Sequence, residues 1–175
     1  MPTGPTYPFP PWSRFPSPPC IDGSISSRPR TSWCAFRPYA VNRTKRLIKA
    51  PKIFWSDTGL ALHLSQQPEP QGAHLENIVL HDLLAWREGR RDRPEISYWR
   101  TATGEEVDLV VEAGNRLLPI EVKAGSRPRL ADAANLRSFR AEYGKRAHAG
   151  LLLHTGARTE WLAPDVLAVP WWRVV

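Results

Sequence analysis

No apolar run in this chain approaches the ~18 residues that a membrane-spanning helix needs, so a helical membrane protein is excluded. The N-terminus shows no charged stretch leading into an apolar one, so no secretory leader is read there. There are only two cysteines, Cys20 and Cys34. They make neither a disulfide framework nor a zinc site, and a reduced, cytoplasmic protein is the expectation. The phosphate-loop pattern G-x-x-x-x-G-K-[ST] occurs nowhere, so no P-loop ATP site is expected in this chain. No internal repeat is present, which excludes solenoids and propellers.

Acid is almost missing from the first fifty residues. Asp22 stands alone against eight basic side chains, and that imbalance is the whole net charge of +7. Residues 51–175 carry sixteen basic and sixteen acidic side chains and balance to zero. A basic overall charge would suggest a nucleic-acid partner. Here the charge resides in one segment and not in the part of the chain that reads as folded.

That segment is also rich in proline, with ten of the 18 prolines in residues 1–40. Proline fixes φ and lacks an amide donor, so regular helix and central strand are both excluded there. Three regions follow. Residues 1–36 read as an irregular, disordered low-complexity tail with the arbitrary composition of a misread frame. On that reading the in-frame sequence begins near Arg37, and upstream DNA should encode a further module in another frame. Residues 37–52 read as a basic linker. Residues 53–175, at 42% hydrophobic composition for the chain as a whole, read as one folded domain of ordinary size.

Within the domain, Lys52 to Trp55 is a short strand candidate, and Ser56 or Asp57 can cap a helix through Leu60 and Leu64. Gly72 to Glu88 is the strongest helix. Leu75, Ile78, Val79, Leu83 and Trp86 follow helical spacing, and Leu80 and Leu84 widen the face. Gly89 ends it. Strands are expected at 95–100, 107–112 and 116–123, the last two joined as a hairpin by Gly114-Asn115. After Pro128 a helix presents Leu130, Ala133, Leu136, Phe139 and Tyr143. Strands follow at 149–153 and 166–169, and Trp171-Trp172 is placed at the end of the sheet. The alternation describes an α/β sandwich with a mixed central sheet flanked by helices.

The chemistry lies on the hairpin. Side chains alternate along a strand, so Glu121 and Lys123 share a face while Ile120 and Val122 take the other. Asp108 stands near the start of the partner strand, which in an antiparallel pair meets the end of its neighbour. Two carboxylates and an ammonium brought together in this way suit Mg²⁺ or Mn²⁺ held by Asp108 and Glu121. The lysine would orient a water or neutralise charge on a phosphate. The alternative for an isolated E-x-K is a charged strand edge, and Asp108 on the hairpin partner weakens it. Glu76 lies in the first turns of the 72–88 helix. It is either a partly buried carboxylate that needs a partner or an acid favoured by the helix dipole, and geometry alone favours the second.

Glu76, then Asp108, then Glu121-x-Lys123 resembles the PD-(D/E)XK, or restriction-endonuclease-like, nuclease superfamily. Lys45 to Lys52, Ser56 to Leu60, Leu75-Glu76-Asn77, Tyr98-Trp99-Arg100 and Glu106-Val107-Asp108 together resemble one family. It is the uncharacterised domain at the C-terminus of many bacterial and archaeal AAA-type ATP-binding proteins, and the resemblance covers about residues 37–175. It implies a restriction-endonuclease-like fold and an ATPase module as partner in full-length relatives. It also implies catalytic roles for Asp108, Glu121 and Lys123, with Glu76 as accessory acid. Val107 stands where the superfamily motif carries proline. The implied activity is Mg²⁺-dependent cleavage of DNA; the alternative is a non-catalytic partner- or DNA-binding domain of the ATPase.

A nucleic-acid backbone could be tracked by Arg43, Lys45, Arg46 and Lys49, with Lys52 continuing the run, or those residues could be solvated linker. Arg100 could meet a phosphate. His74 and His81, two helical turns apart, lack a third ligand nearby.

Overall fold

The computed structural model describes residues 33–39 and 50–174. The basic run Arg43, Lys45, Arg46 and Lys49 lies outside the described residues.

Strand β1 (Trp33–Phe36) pairs antiparallel with β2 (Lys52–Trp55), Phe36 opposite Lys52. Residues 33–36 fall within the segment expected to be irregular tail, and Phe36 is buried. Tyr39, in the segment expected to be linker, is buried too. Both aromatics supply core surface, which the proline-rich sequence around them conceals.

Helix α1 (Thr58–Ser65) starts where Asp57 accepts the Leu60 N–H at 2.8 Å. Helix α2 (Gly72–Glu88) starts with a reciprocal cap, in which the His74 ring accepts the Gln71 N–H at 2.9 Å. Such capping satisfies amides that the first turn leaves without partners. Strands β3 (Glu95–Arg100), β4 (Glu106–Ala113) and β5 (Arg116–Lys123) follow. A 3-10 turn (Leu130–Ala133) leads into α3 (Ala134–Tyr143). Strands β6 (Gly150–His154), β7 (Glu160–Ala163) and β8 (Val166–Pro170) complete the sheet, and a last 3-10 turn holds Trp171–Arg173.

The sheet has six strands in the order β3-β4-β5-β6-β8-β7. β5, β6 and β8 are parallel neighbours, and the remaining pairs are antiparallel. This is a mixed α/β sheet, as expected from the sequence. Alternate side chains feed two cores. One joins Phe36 and Phe54 of the ribbon to Leu75, Val79 and Leu83 of α2 and to Leu109 and Ile120 of the sheet. The other joins Leu136, Phe139 and Tyr143 of α3 to Trp99, Val110 and Leu152.

Three expectations are corrected. Trp86 is 42% exposed, with Arg90 stacked over its ring, because it lies at the solvent side of the last turn of α2. Leu130 is 54% exposed, because a 3-10 turn rather than an α-turn carries residues 130–133 and moves it off the buried face. Trp171 packs partly against the first core, whereas Trp172 is exposed. Strand β7 has no apolar alternation to reveal it, since it is a half-exposed edge.

Candidate functional site

The site forms where β4 begins and β5 ends. The Gly114-Asn115 turn sets Ala113 opposite Arg116, and the register runs back to Leu109 opposite Ile120. One step further brings Asp108 to Glu121. Strand β4 is bulged here. Between Trp99↔Val107 and Ser97↔Val110 it advances three residues while β3 advances two. A bulge adds twist and re-aims a side chain. Here it turns Asp108 so that its Oδ2 accepts the Val122 N–H at 2.9 Å, in a buried contact.

Glu121 is 3% exposed. Its Oε1 accepts from the Lys123 ammonium at 2.7 Å, while Oε2 is buried with no hydrogen-bond partner among the described residues. Burial raises the Glu121 carboxyl, the negative charge of Asp108 raises it further, and Lys123 opposes them; the result is about 7. Burial also raises Asp108, against the Val122 hydrogen bond and the two lysines. Burial is the largest single influence on Lys123 and lowers it, but its bond to Glu121 and the surrounding carboxylates outweigh that and raise it. Lys123 is thus cationic at neutral pH.

Glu76 of α2 joins the hairpin acids electrostatically, since the charge of Asp108 acts on it and its own charge acts on Glu121. The structure links it to them through Lys52 of β2, which the sequence placed in a strand candidate and a basic run but not in the site. The Lys52 ammonium lies 3.5 Å from Glu76 Oε2 and 3.6 Å from Asp108 Oδ1, and it pairs closely with Glu106 Oε1. Burial works against its charge, but the Glu106 hydrogen bond and the three nearby carboxylates raise its pKa overall. Glu76 itself is raised, first by burial and then by the charge of Asp108, against Lys52. Arg100 joins the same network, 3.3 Å from Glu106. Lys52 and Glu106 are the site residues that sequence reasoning missed. The signal available was Glu106, two positions before Asp108 on one strand. A cleft of about 420 Å³ between β2, α1 and α2 opens beside Lys52 and Glu76.

The loops after β5 and β6 are stitched together behind Lys123. Thr155 donates its N–H to Gly125 O at 3.2 Å and its hydroxyl to Ala124 O at 2.7 Å. His154, opposite Lys123 in the parallel register, is buried. Its Nδ1 accepts the Gly156 N–H at 2.9 Å, so Nε2 carries the ring proton. His74 and His81 are drawn apart, His74 into the α2 cap and His81 Nε2 onto Trp55 O at 2.7 Å.

Among the described residues, no group of three His, Cys, Asp or Glu side chains could hold a metal ion. A cage built wholly of protein ligands is thus not present there. Two carboxylate oxygens stay off the backbone: Asp108 Oδ1, which faces the Lys52 ammonium at 3.6 Å, and the buried Glu121 Oε2. Hard oxygen donors in that number suit Mg²⁺ or Mn²⁺, which commonly take one or two carboxylates and keep several waters.

Fold and site together define a mixed α/β domain with a buried carboxylate–lysine cluster at the end of a hairpin. The family model described as "Domain of unknown function (DUF4143)" matches residues 71–174, and the chain belongs to that family. The match includes Glu76, Asp108, Glu121 and Lys123 but not Lys52. Uncharacterized proteins of Mycobacterium bovis and Mycobacterium tuberculosis are each 33% identical over 143 residues, covering 76% of this chain. The chain spans 30% of the length of each. No solved structure matches it. Among the described residues, no helix is long and apolar enough to cross a membrane.

Proposed function

We propose that this chain is a restriction-endonuclease-like domain that hydrolyses phosphodiester bonds in DNA with Mg²⁺ or Mn²⁺. On this reading it works alongside the ATPase module of an AAA-type ATP-binding protein. The observation that carries the reading is the convergence of Asp108, Glu121 and Lys123, with one buried Glu121 oxygen left over for a ligand. A lone buried carboxylate oxygen is costly unless something binds it.

Asp108 and Glu121 would hold the cation, which supplies positive charge to a phosphoryl oxygen and acidifies a water. Val122 fixes Asp108 through its N–H, so the carboxylate meets its ligand with one oxygen already positioned. Lys123 keeps its proton at neutral pH. Its contribution is therefore electrostatic: it orients the attacking water and neutralises charge growing on the phosphate. Glu76 acts on the site through Lys52, and Arg100 would meet a flanking phosphate on leaving Glu106.

Single-stranded, duplex and branched DNA incubated with the chain and Mg²⁺ or Mn²⁺ tests the reading. Cleavage is expected, and Asp108→Ala or Lys123→Ala should each reduce it about a hundredfold or more. Cleavage that persists at the parental rate in both variants would remove these residues from the reaction. A folded chain that neither cuts DNA nor binds the cation supports the second reading, a non-catalytic partner- or DNA-binding domain of the ATPase. The lack of a third metal ligand among the described residues is the observation that favours that alternative.

A further inference from the structure

Asp108 has only one oxygen free of the backbone. Oδ2 takes the Val122 N–H, and Oδ1 faces the Lys52 ammonium at 3.6 Å. The same ammonium lies 3.5 Å from Glu76 and pairs with Glu106. One lysine thus serves three carboxylates from α2 and β4, at the very oxygen that a cation on Asp108 would take.

We infer that Lys52 is a displaceable counter-ion of the cation site, holding Asp108 in the free domain and releasing it when a divalent cation binds. The inference rests on the cation reading above and deepens it by naming the residue that sets the affinity. Three converging carboxylates repel one another without a positive charge among them. A divalent cation on Asp108 and an ammonium at 3.6 Å repel in turn, the more so away from bulk water. Something must move, and Lys52 can. Its ammonium sits on a flexible four-carbon stem. It is rooted in the two-stranded ribbon rather than the six-stranded sheet. Its side chain is 21% exposed and lines the cleft beside α1 and α2. Glu106 lets the lysine keep a partner after leaving Asp108.

This role differs from that of a merely structural lysine in its dependence on charge. Mn²⁺ titrated calorimetrically into the full chain near neutral pH should bind about tenfold tighter to Lys52→Met and Lys52→Gln, since a nearby like charge is removed. Lys52→Arg, which keeps the charge, should not gain. If the two neutral variants bind Mn²⁺ no tighter than the parent, the counter-ion role is overturned and the cation reading stands. If neither parent nor variants bind Mn²⁺, the cation reading falls and this inference falls with it. A second measurement needs no substitution. Acylation of Lys52 by an amine-reactive ester, followed by peptide mass spectrometry, should accelerate on adding Mn²⁺ as the ammonium moves toward solvent. An unchanged or slower rate would overturn the displacement.

Discussion

Two clusters of charge in this molecule use the same residue types and behave in opposite ways. At the end of α2, Arg87 pairs with Glu88 at 2.9 Å, Arg93 with Glu88 at 3.2 Å, and Arg90 with Asp92 at 2.9 Å. These partners are near neighbours in sequence, and all but the half-buried Arg87 are well exposed. Glu88 is lowered by its hydrogen bond from Arg87, and Asp92 by that from Arg90. At the hairpin end, Glu76, Asp108 and Glu121 are all raised, with burial the first cause in each case. Here the cations do not fully offset desolvation, and the ionised acids are a burden on the fold. A burial cost that the fold itself does not need is characteristic of functional sites. The solvated acids Glu88 and Asp92 carry no such cost and no such implication.

The buried cluster depends most on the loops that frame it. A Cβ on Gly156 would lie 2.1 Å from Ser126 O, a backbone atom that cannot step aside. Gly156→Ala must therefore separate the loops behind Lys123, and a loss of about 3 kcal/mol is expected from urea denaturation, at the upper end of overpacking effects. A neutral result would mean that the loops are loosely coupled. Next comes the charge. Glu121 ionises near 7 when folded and near 4.5 otherwise. A raised folded value means stability is fully present below about pH 4.5 and is lost as pH rises through 7. Glu121→Gln should thus match the parent at about pH 4. Without divalent cations it should be more stable at about pH 8, by up to about 3 kcal/mol for such a shift. Denaturation curves at the two pH values check this, and a variant less stable than the parent at the higher pH would show that the carboxylate supports the fold.

Much of this site was legible because it is local. The spacing of Leu75, Val79 and Leu83 marked α2, and Gly114-Asn115 fixed the hairpin register that brings Asp108 to Glu121. What was not legible depends on distant contacts. Nothing in the strand candidate Lys52 to Trp55 says that Lys52 meets three acids, because α2 and β4 must first pack around it. The bulge at Asp108 has no glycine to announce it. β1 is hidden by prolines on either side, and Trp86 satisfies the helical period while facing solvent. Periodicity reports which face a residue shares, but not whether anything covers that face.

The solvated cluster responds least to the loss of a charge. Asp92→Asn removes the charge that Arg90 meets at 2.9 Å. Exposed pairs gain little Coulomb energy in water and give up side-chain freedom to form. The midpoint of thermal unfolding should therefore not move at low salt or at high salt. Arg90→Ala is the informative companion, because Arg90 also lies 5.1 Å over the Trp86 ring. A small fall in that variant alone would locate the contribution in the stacking on Trp86, since Asp92→Asn leaves the stacking intact. If instead Asp92→Asn destabilises the chain as much as Glu121→Gln stabilises it, burial is not what separates the two clusters. The raised carboxyls at the hairpin would then mark no functional site, because a solvated pair would matter as much as a buried one.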